Sequence, residues 1–189
     1  MNRLLVCSLL LGLISLPLMA QDRLEVFGGY QYLHFGTATA NGQSLPGGSQ
    51  GFNGWNAAAT LKLGKLFGVE GDFGGGYATV NGISFHSYTY TGGPVVFVSA
   101  GPIKPFVHAL FGGVQLGGSQ SGVSESLNGL TAMVGGGVDA KVNKLLALRL
   151  AQVDWLYFHF GSQTVAGTPV PSFSGHNNVR ISTGIVLRF

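Results

Sequence analysis

Three features of the chain predict an all-β fold, an eight-stranded antiparallel up-and-down transmembrane β-barrel. Apolar and polar residues alternate with a period of two through eight segments, the signature of strands with one apolar face. Charge is scarce and apolar content high, at 9% and 46%, with 32 Gly; ordinary domains carry about 25% charged residues and about 7% Gly. The connections are expected to run long and short in turn, as in a barrel with tight turns at one end and longer loops at the other. A mean hydropathy of +0.34 also raises the question of membrane helices. Beyond the N-terminus, however, no apolar run approaches the roughly 18 residues that a spanning helix needs.

Residues 1–20 read as a cleaved secretory signal, which leaves 21–189 as the barrel domain. Asn2 and Arg3 give a positive start, Leu4 to Leu18 an apolar stretch, and Met19-Ala20 a small residue before Gln21. Cys7 is the only cysteine. Its removal with the signal excludes disulfides, thiol catalysis and cysteine metal sites. The formal charge is +3 with basic residues spread singly, so no nucleic-acid footprint is expected.

The first strand is expected from Arg23 to Phe35, with Leu24, Val26, Gly28, Tyr30 and Tyr32 on one face and Glu25 and Gln31 on the other. Residues 36–50 are a loop by their Gly, Thr, Asn and Ser content. Strand two, Gly51 to Leu63, turns Trp55, Ala57, Ala59 and Leu61 outward, and a Gly64-Lys65 turn follows. Strand three sets Phe67, Val69, Phe73 and Tyr77 against Glu70 and Asp72. After a loop at Thr79 to Phe85, strand four runs from His86 to Ser99, with Pro94 expected to mark a bulge or local break.

Ala100-Gly101-Pro102 turns the chain into strand five, Lys104 to Leu116, and Gly117 to Asn128 is the next expected loop. Strand six, Gly129 to Val142, opposes Leu130, Ala132 and Val134 to Thr131, Met133, Asp139 and Lys141. Past the Asn143-Lys144 turn, strand seven runs from Leu145 to Phe160. Its parity conflicts: Gln152 and Asp154 fall in step with Leu146, Leu148 and Leu150. A bulge near Leu150 to Gln152 is predicted, because one extra residue returns the polar pair to the interior. Residues 161–175 form the last loop, and strand eight runs from His176 to Phe189.

Strand eight must pair with strand one, since an open edge in hydrocarbon would leave backbone groups unpaired at several kcal/mol each. A soluble barrel of the lipocalin type would keep its apolar residues inside. Here Tyr and Trp sit on the apolar faces near strand ends, and charges sit on the opposite faces, so the pattern is inside out. With its leader, eight alternating strands and terminal Phe189, the chain resembles the small eight-stranded outer-membrane proteins of the OmpA transmembrane-domain and OmpX type. That resemblance implies an outer-membrane location among membrane lipid and lipopolysaccharide. It also implies that the barrel assembly machinery reads Ser182, Gly184, Leu187 and Phe189. No wall-binding domain or adhesin motif carries over.

The interior of so narrow a barrel is filled by side chains, and its charges must pair. The expected lumen network is Glu70, Asp72, Asp139, Lys141, Arg149, Asp154 and Arg180, with Lys62, His108 and Arg188 as further members. This favours a plugged barrel with a structural or surface-interacting role over a narrow channel for small solutes or ions. Enzyme chemistry is disfavoured. Outer-membrane enzymes that trim lipid A include a group with a His-x-Ser pair, whereas here His86 directly precedes Ser87, and His159 and Ser162 are three apart. Dispersed histidines give no metal-ligand spacing, and the Gly runs at 74–76 and 135–137 lack the helix and Lys of a phosphate loop. No cofactor is expected.

Overall fold

The computed structural model describes residues 23–40, 43–44, 49–80, 82–98, 101–120, 123–165 and 168–189; the expected signal segment lies outside them. Eight long strands form the wall: β1 (Leu24–Phe35), β2 (Gln50–Lys62), β3 (Phe67–Val80), β4 (Ile83–Phe97), β5 (Ile103–Gln120), β6 (Val123–Lys141), β7 (Leu146–Phe160) and β8 (Phe173–Arg188). Each pairs antiparallel with its neighbour in sequence, and β8 returns to β1, so the sheet closes. The ladder holds to its end, where the amides of Leu24 and Phe189 donate to each other's carbonyls at 3.1 and 2.8 Å. Closure leaves no edge in this wall, the arrangement in which every central backbone group has a partner.

Alternation of exposure follows the pleat. Val26, Tyr30, Tyr32, Trp55, Phe73, Val134, Trp155, Ile181 and Ile185 are exposed, while Glu70, Asp72, Asp139, Asp154 and Arg180 are buried. The parity conflict in β7 is resolved as predicted. Val138 pairs with Ala151 but Asp139 with Arg149, and across the other edge the register shifts between Ser182 and Gly184. Leu150 and Ala151 are consecutively exposed, so Arg149 below them and Gln152 above them both point inward. Outside the bulge, glycines on the outer face lie beneath aromatic neighbours. A Cβ on Gly75 would meet the Trp55 ring at 2.5 Å, and one on Gly113 the Tyr90 ring at 2.4 Å, so the bare glycine makes room for the ring.

Three expectations are corrected. Residues 79–80, 83–85, 117–120 and 123–128 are strand, not loop: Val80 pairs with Ile83, and the β5–β6 ladder runs out to Gln120 and Val123. Gly, Ser and Thr suit a water-facing ladder as well as a coil, and composition cannot separate the two. The long connections are therefore the two at residues 36–49 and 161–172, each carrying a short hairpin, Ala38–Ala40 with Gln43–Ser44 and Gln163–Val165 with Thr168–Val170. Pro94 makes no bulge. Its pairing with Val69 is in step, and the β4–β5 ladder skips residues 93 and 94 without a change of register, leaving only the bond that Pro cannot donate.

The turns at the end where β1 begins and β8 stops are short, and one shows why. Asn143 accepts from the amides of Leu145 and Leu146 through Oδ1, both at 2.8 Å, so its side chain closes the reversal.

Candidate functional site

The barrel interior gathers the charged side chains into two groups, a belt that is one connected chain of contacts and a cluster at the mouth. Arg180 on β8 is fully buried. Its Nη1 donates to Asp72 Oδ1 at 2.7 Å, its Nη2 to Asp72 Oδ2 at 3.1 Å, and its Nε to Asp154 Oδ2 at 2.8 Å. Asn56 on β2 donates to the same Asp72 at 2.9 Å. Across the lumen, His108 on β5 lies between two carboxylates, with Nδ1 2.6 Å from Glu70 Oε1 and Nε2 2.8 Å from Asp154 Oδ1. Only an imidazole protonated on both nitrogens donates to both. Glu70 also accepts from Thr60 at 2.8 Å.

From Asp154 the chain descends through Gln152, which donates to it at 2.7 Å and accepts from Arg149 Nη1 at 2.6 Å. Arg149 then pairs with Asp139, Nε to Oδ1 at 2.9 Å. Its guanidinium is held between the rings of Phe27 and Phe106, 4.3 Å from each centroid, a cation–π sandwich in a desolvated setting. Nearest the short turns, Glu25 meets Lys62 at 2.6 Å, Arg188 at 3.2 Å, and Lys104. Four belt carboxylates thus face two guanidiniums and one imidazole, while three cations surround the single carboxylate at the mouth. The positive excess of the mouth offsets the deficit of the belt.

Six of the seven expected network members, Glu70, Asp72, Asp139, Arg149, Asp154 and Arg180, are brought together. Lys141 is not. It is exposed at the last position of β6 and makes no ion pair among the described residues; its parity points inward, but the wall ends there. Lys62 and Arg188 join Glu25 rather than the belt, and His108 is the central bridge.

The end away from the short turns is sealed differently. Leu33, Phe52, Leu110, Val114, Met133, Leu156, Phe158 and Phe160 form a buried apolar cluster across the lumen. Phe35 packs on Phe52 and Phe158 with centroids 4.9 and 5.0 Å apart, and Phe160 stacks on Phe173 at 4.7 Å. Between plug and belt, the hydroxyls of Ser87, Thr89, Thr91 and Thr131 are buried without a hydrogen-bond partner among the described residues. Sequence reasoning missed the plug, although its signal was present: Leu33, Phe52, Phe158 and Phe160 fall on the polar parity near strand ends, and Leu110 on the polar parity within its strand.

Asn178 was also missed. Fully buried at a register shift in β8, it accepts from Gly36 N at 3.1 Å and donates to Leu156 O and Gly175 O, both at 3.0 Å. One side chain so ties the residue after β1 to β7 and β8 at the seam. Outside the wall, His159 Nδ1 lies 3.0 Å from Ser174 Oγ, which also accepts from Tyr157 at 3.3 Å. No carboxylate contacts His159 among the described residues, so base and hydroxyl lack the orienting group of a catalytic triad.

No family model and no curated protein matches the chain. Solved structures do. Neisserial surface protein A is 15% identical with a TM-score of 0.62, covering 88% of this chain and 97% of that one. Ail, the attachment invasion locus protein of Yersinia pestis, is 15% identical with a TM-score of 0.54, covering 89% and 99%. The outer membrane protein OprG from Pseudomonas aeruginosa is 12% identical with a TM-score of 0.52, covering 89% and 96%. At such identities the likeness concerns architecture. The chain has the closed, all-antiparallel fold of the small eight-stranded outer-membrane β-barrels.

Proposed function

We propose that this chain is an integral outer-membrane barrel whose lumen is a fixed plug, and that it acts structurally or by surface contact through its external hairpins. One observation carries the reading: an apolar plug around Phe52 and Phe158 lies in series with a belt of ion pairs around Arg180. A water path would have to open both at once, and opening the belt would strand charges at about 3 to 5 kcal/mol for each broken pair. The apolar outer face supports a membrane as its surroundings, since exposed Phe, Val, Leu and Ile on this scale are not left in water.

The hairpins supply the surface. The 18 residues of β5 span roughly 60 Å along the strand. At the usual tilt of about 40° that rises roughly 45 Å, against about 30 Å of hydrocarbon. The β5–β6 hairpin therefore stands clear of the bilayer. Ail has been solved with the heparin analogue sucrose octasulfate. For this chain a polyanionic ligand of that kind is not favoured, because residues 36–50, 79–85, 117–128 and 161–175 contain no Lys or Arg. Uncharged partners, met through Ser, Thr, Asn and Gln, suit these segments better.

Ser182, Gly184, Leu187 and Phe189 would act earlier, as the segment that the assembly machinery reads before Ser182 is enclosed. Planar-bilayer recording tests the plug. The proposal expects no discrete conductance, and stable unitary openings would replace it with the channel reading. Unchanged lipid A mass on expression is expected as well; a loss of acyl mass that disappears in Ser174→Ala would make the chain an enzyme.

A further inference from the structure

Outside the lumen, the Lys and Arg side chains among the described residues are all at one end. Arg23, Lys65, Lys141 and Lys144 are exposed there and make no ion pair among the described residues. Lys62, Lys104 and Arg188 share the carboxylate of Glu25 beside them. The opposite end has no Lys or Arg in any of its connecting segments. Among the described side chains this rim sets seven cations around one carboxylate; the excess of the mouth is offset by the belt, and the four exposed cations leave a positive field that attracts phosphate-bearing surfaces within a Debye length.

A second observation says which surface. Two of the rim's turns repeat one pattern, Leu63-Gly64-Lys65-Leu66 and Val142-Asn143-Lys144-Leu145. Their apolar flanks are well exposed, Leu63 at 69%, Leu66 at 54%, Val142 at 55% and Leu145 at 65%. A turn standing in open water would hold its lysine between polar residues. A turn at the boundary of hydrocarbon and headgroup holds its leucines in the acyl region and extends the lysine to the phosphates. Phe67 and Phe189, exposed at 60% and 55% beside these turns, extend the same apolar collar.

We infer that this rim is a binding surface for anionic phospholipid headgroups, with Lys65 and Lys144 as its principal contacts, and that it seats the barrel in the leaflet on the short-turn side, which is the periplasmic one in outer-membrane barrels. The inference rests on the membrane-barrel reading above. The ligand class is a glycerophospholipid with net negative charge, and the attraction falls with added salt.

The test reconstitutes the chain in bilayers of phosphatidylcholine and of phosphatidylcholine with phosphatidylglycerol, and measures the association of spin-labelled versions of each lipid. The expected result is a several-fold preference for phosphatidylglycerol that shrinks in K65Q/K144Q and at high salt. Equal association of the two lipids, or a preference unchanged in K65Q/K144Q, would overturn the inference while leaving the barrel reading intact. Failure to insert in either bilayer would overturn both, and heat-modifiable mobility separates that result from the others.

Discussion

Arg180 and Asp72, 108 residues apart in the chain, meet through two parallel hydrogen bonds of 2.7 and 3.1 Å inside the barrel. β8 carries one and β3 the other, so the pair forms only when the sheet has rolled up. The same guanidinium reaches Asp154 on the neighbouring β7 at 2.8 Å, so a single side chain holds two carboxylates from different strands. A bidentate guanidinium–carboxylate geometry has more angular specificity than an ammonium contact, which makes this pair a register pin.

Truncating Arg180 should therefore be among the costliest single changes. Arg180→Ala leaves Asp72 and Asp154 buried against each other's field, with an expected loss of about 3 to 5 kcal/mol. Arg180→Met combined with Asp72→Asn should recover most of it, because the unpaired charge is then removed rather than exposed. Urea unfolding in bilayers, followed by Trp emission, measures both. A double variant no better than the alanine would mean that the stranded carboxylate charge is not what makes the truncation costly.

The β7 bulge was legible in the sequence because the wrong residues fell in step: Gln152 and Asp154 shared parity with three leucines, and one extra residue was the cheapest remedy. Facing along every strand was legible for the same reason. His108 was legible as a further inward-facing member but not as the central bridge, since its sequence neighbours are apolar and its partners come from 38 and 46 residues away. The outer halves of β5 and β6 were illegible on composition, because Gly and Ser write a loop and a solvated ladder alike. Lys141 shows the limit of parity, which gives direction but does not say where the wall stops.

Removing that extra residue gives a second test. Deletion of Ala151 erases the bulge and leaves Arg149, Leu150 and Gln152 in plain alternation, so that Arg149, Gln152 and Asp154 all still face the lumen. The expected outcome is a retained folded, heat-modifiable form on electrophoresis. Loss of the folded band would mean that the extra residue does more than correct the parity of the strand.

Glycines of the wall should divide into two kinds. In Gly75→Ala the new Cβ meets the Trp55 indole, which can swing aside, so Trp emission should shift with a stability cost below about 1 kcal/mol. In Gly112→Ala it meets the Tyr90 carbonyl oxygen at 2.0 Å and Thr91 Cα at 2.8 Å, which are backbone and cannot swing. That variant should lose about 1 to 3 kcal/mol, as overpacked sites do. Equal losses in the two would contradict the contrast.

The closing strand offers a kinetic prediction. Phe189 donates to and Leu24 accepts at the last rung of the seam, and the residue is exposed outward at 55%. Deleting Phe189 should leave export intact and reduce the folded outer-membrane fraction several-fold. Full recovery of folded protein in cells would remove it from the assembly signal.

The account stands on an inside-out wall, polar within and apolar toward lipid, and β8 tests it most directly. Single cysteines placed in turn from 179 to 187, in a chain freed of Cys7, can carry a fluorophore and be exposed to brominated lipid. The account predicts strong quenching at 181, 183, 185 and 187 and weak quenching at 180, 182 and 186, following the exposed and buried residues of the strand. Quenching of the opposite parity, or at no position, would contradict it.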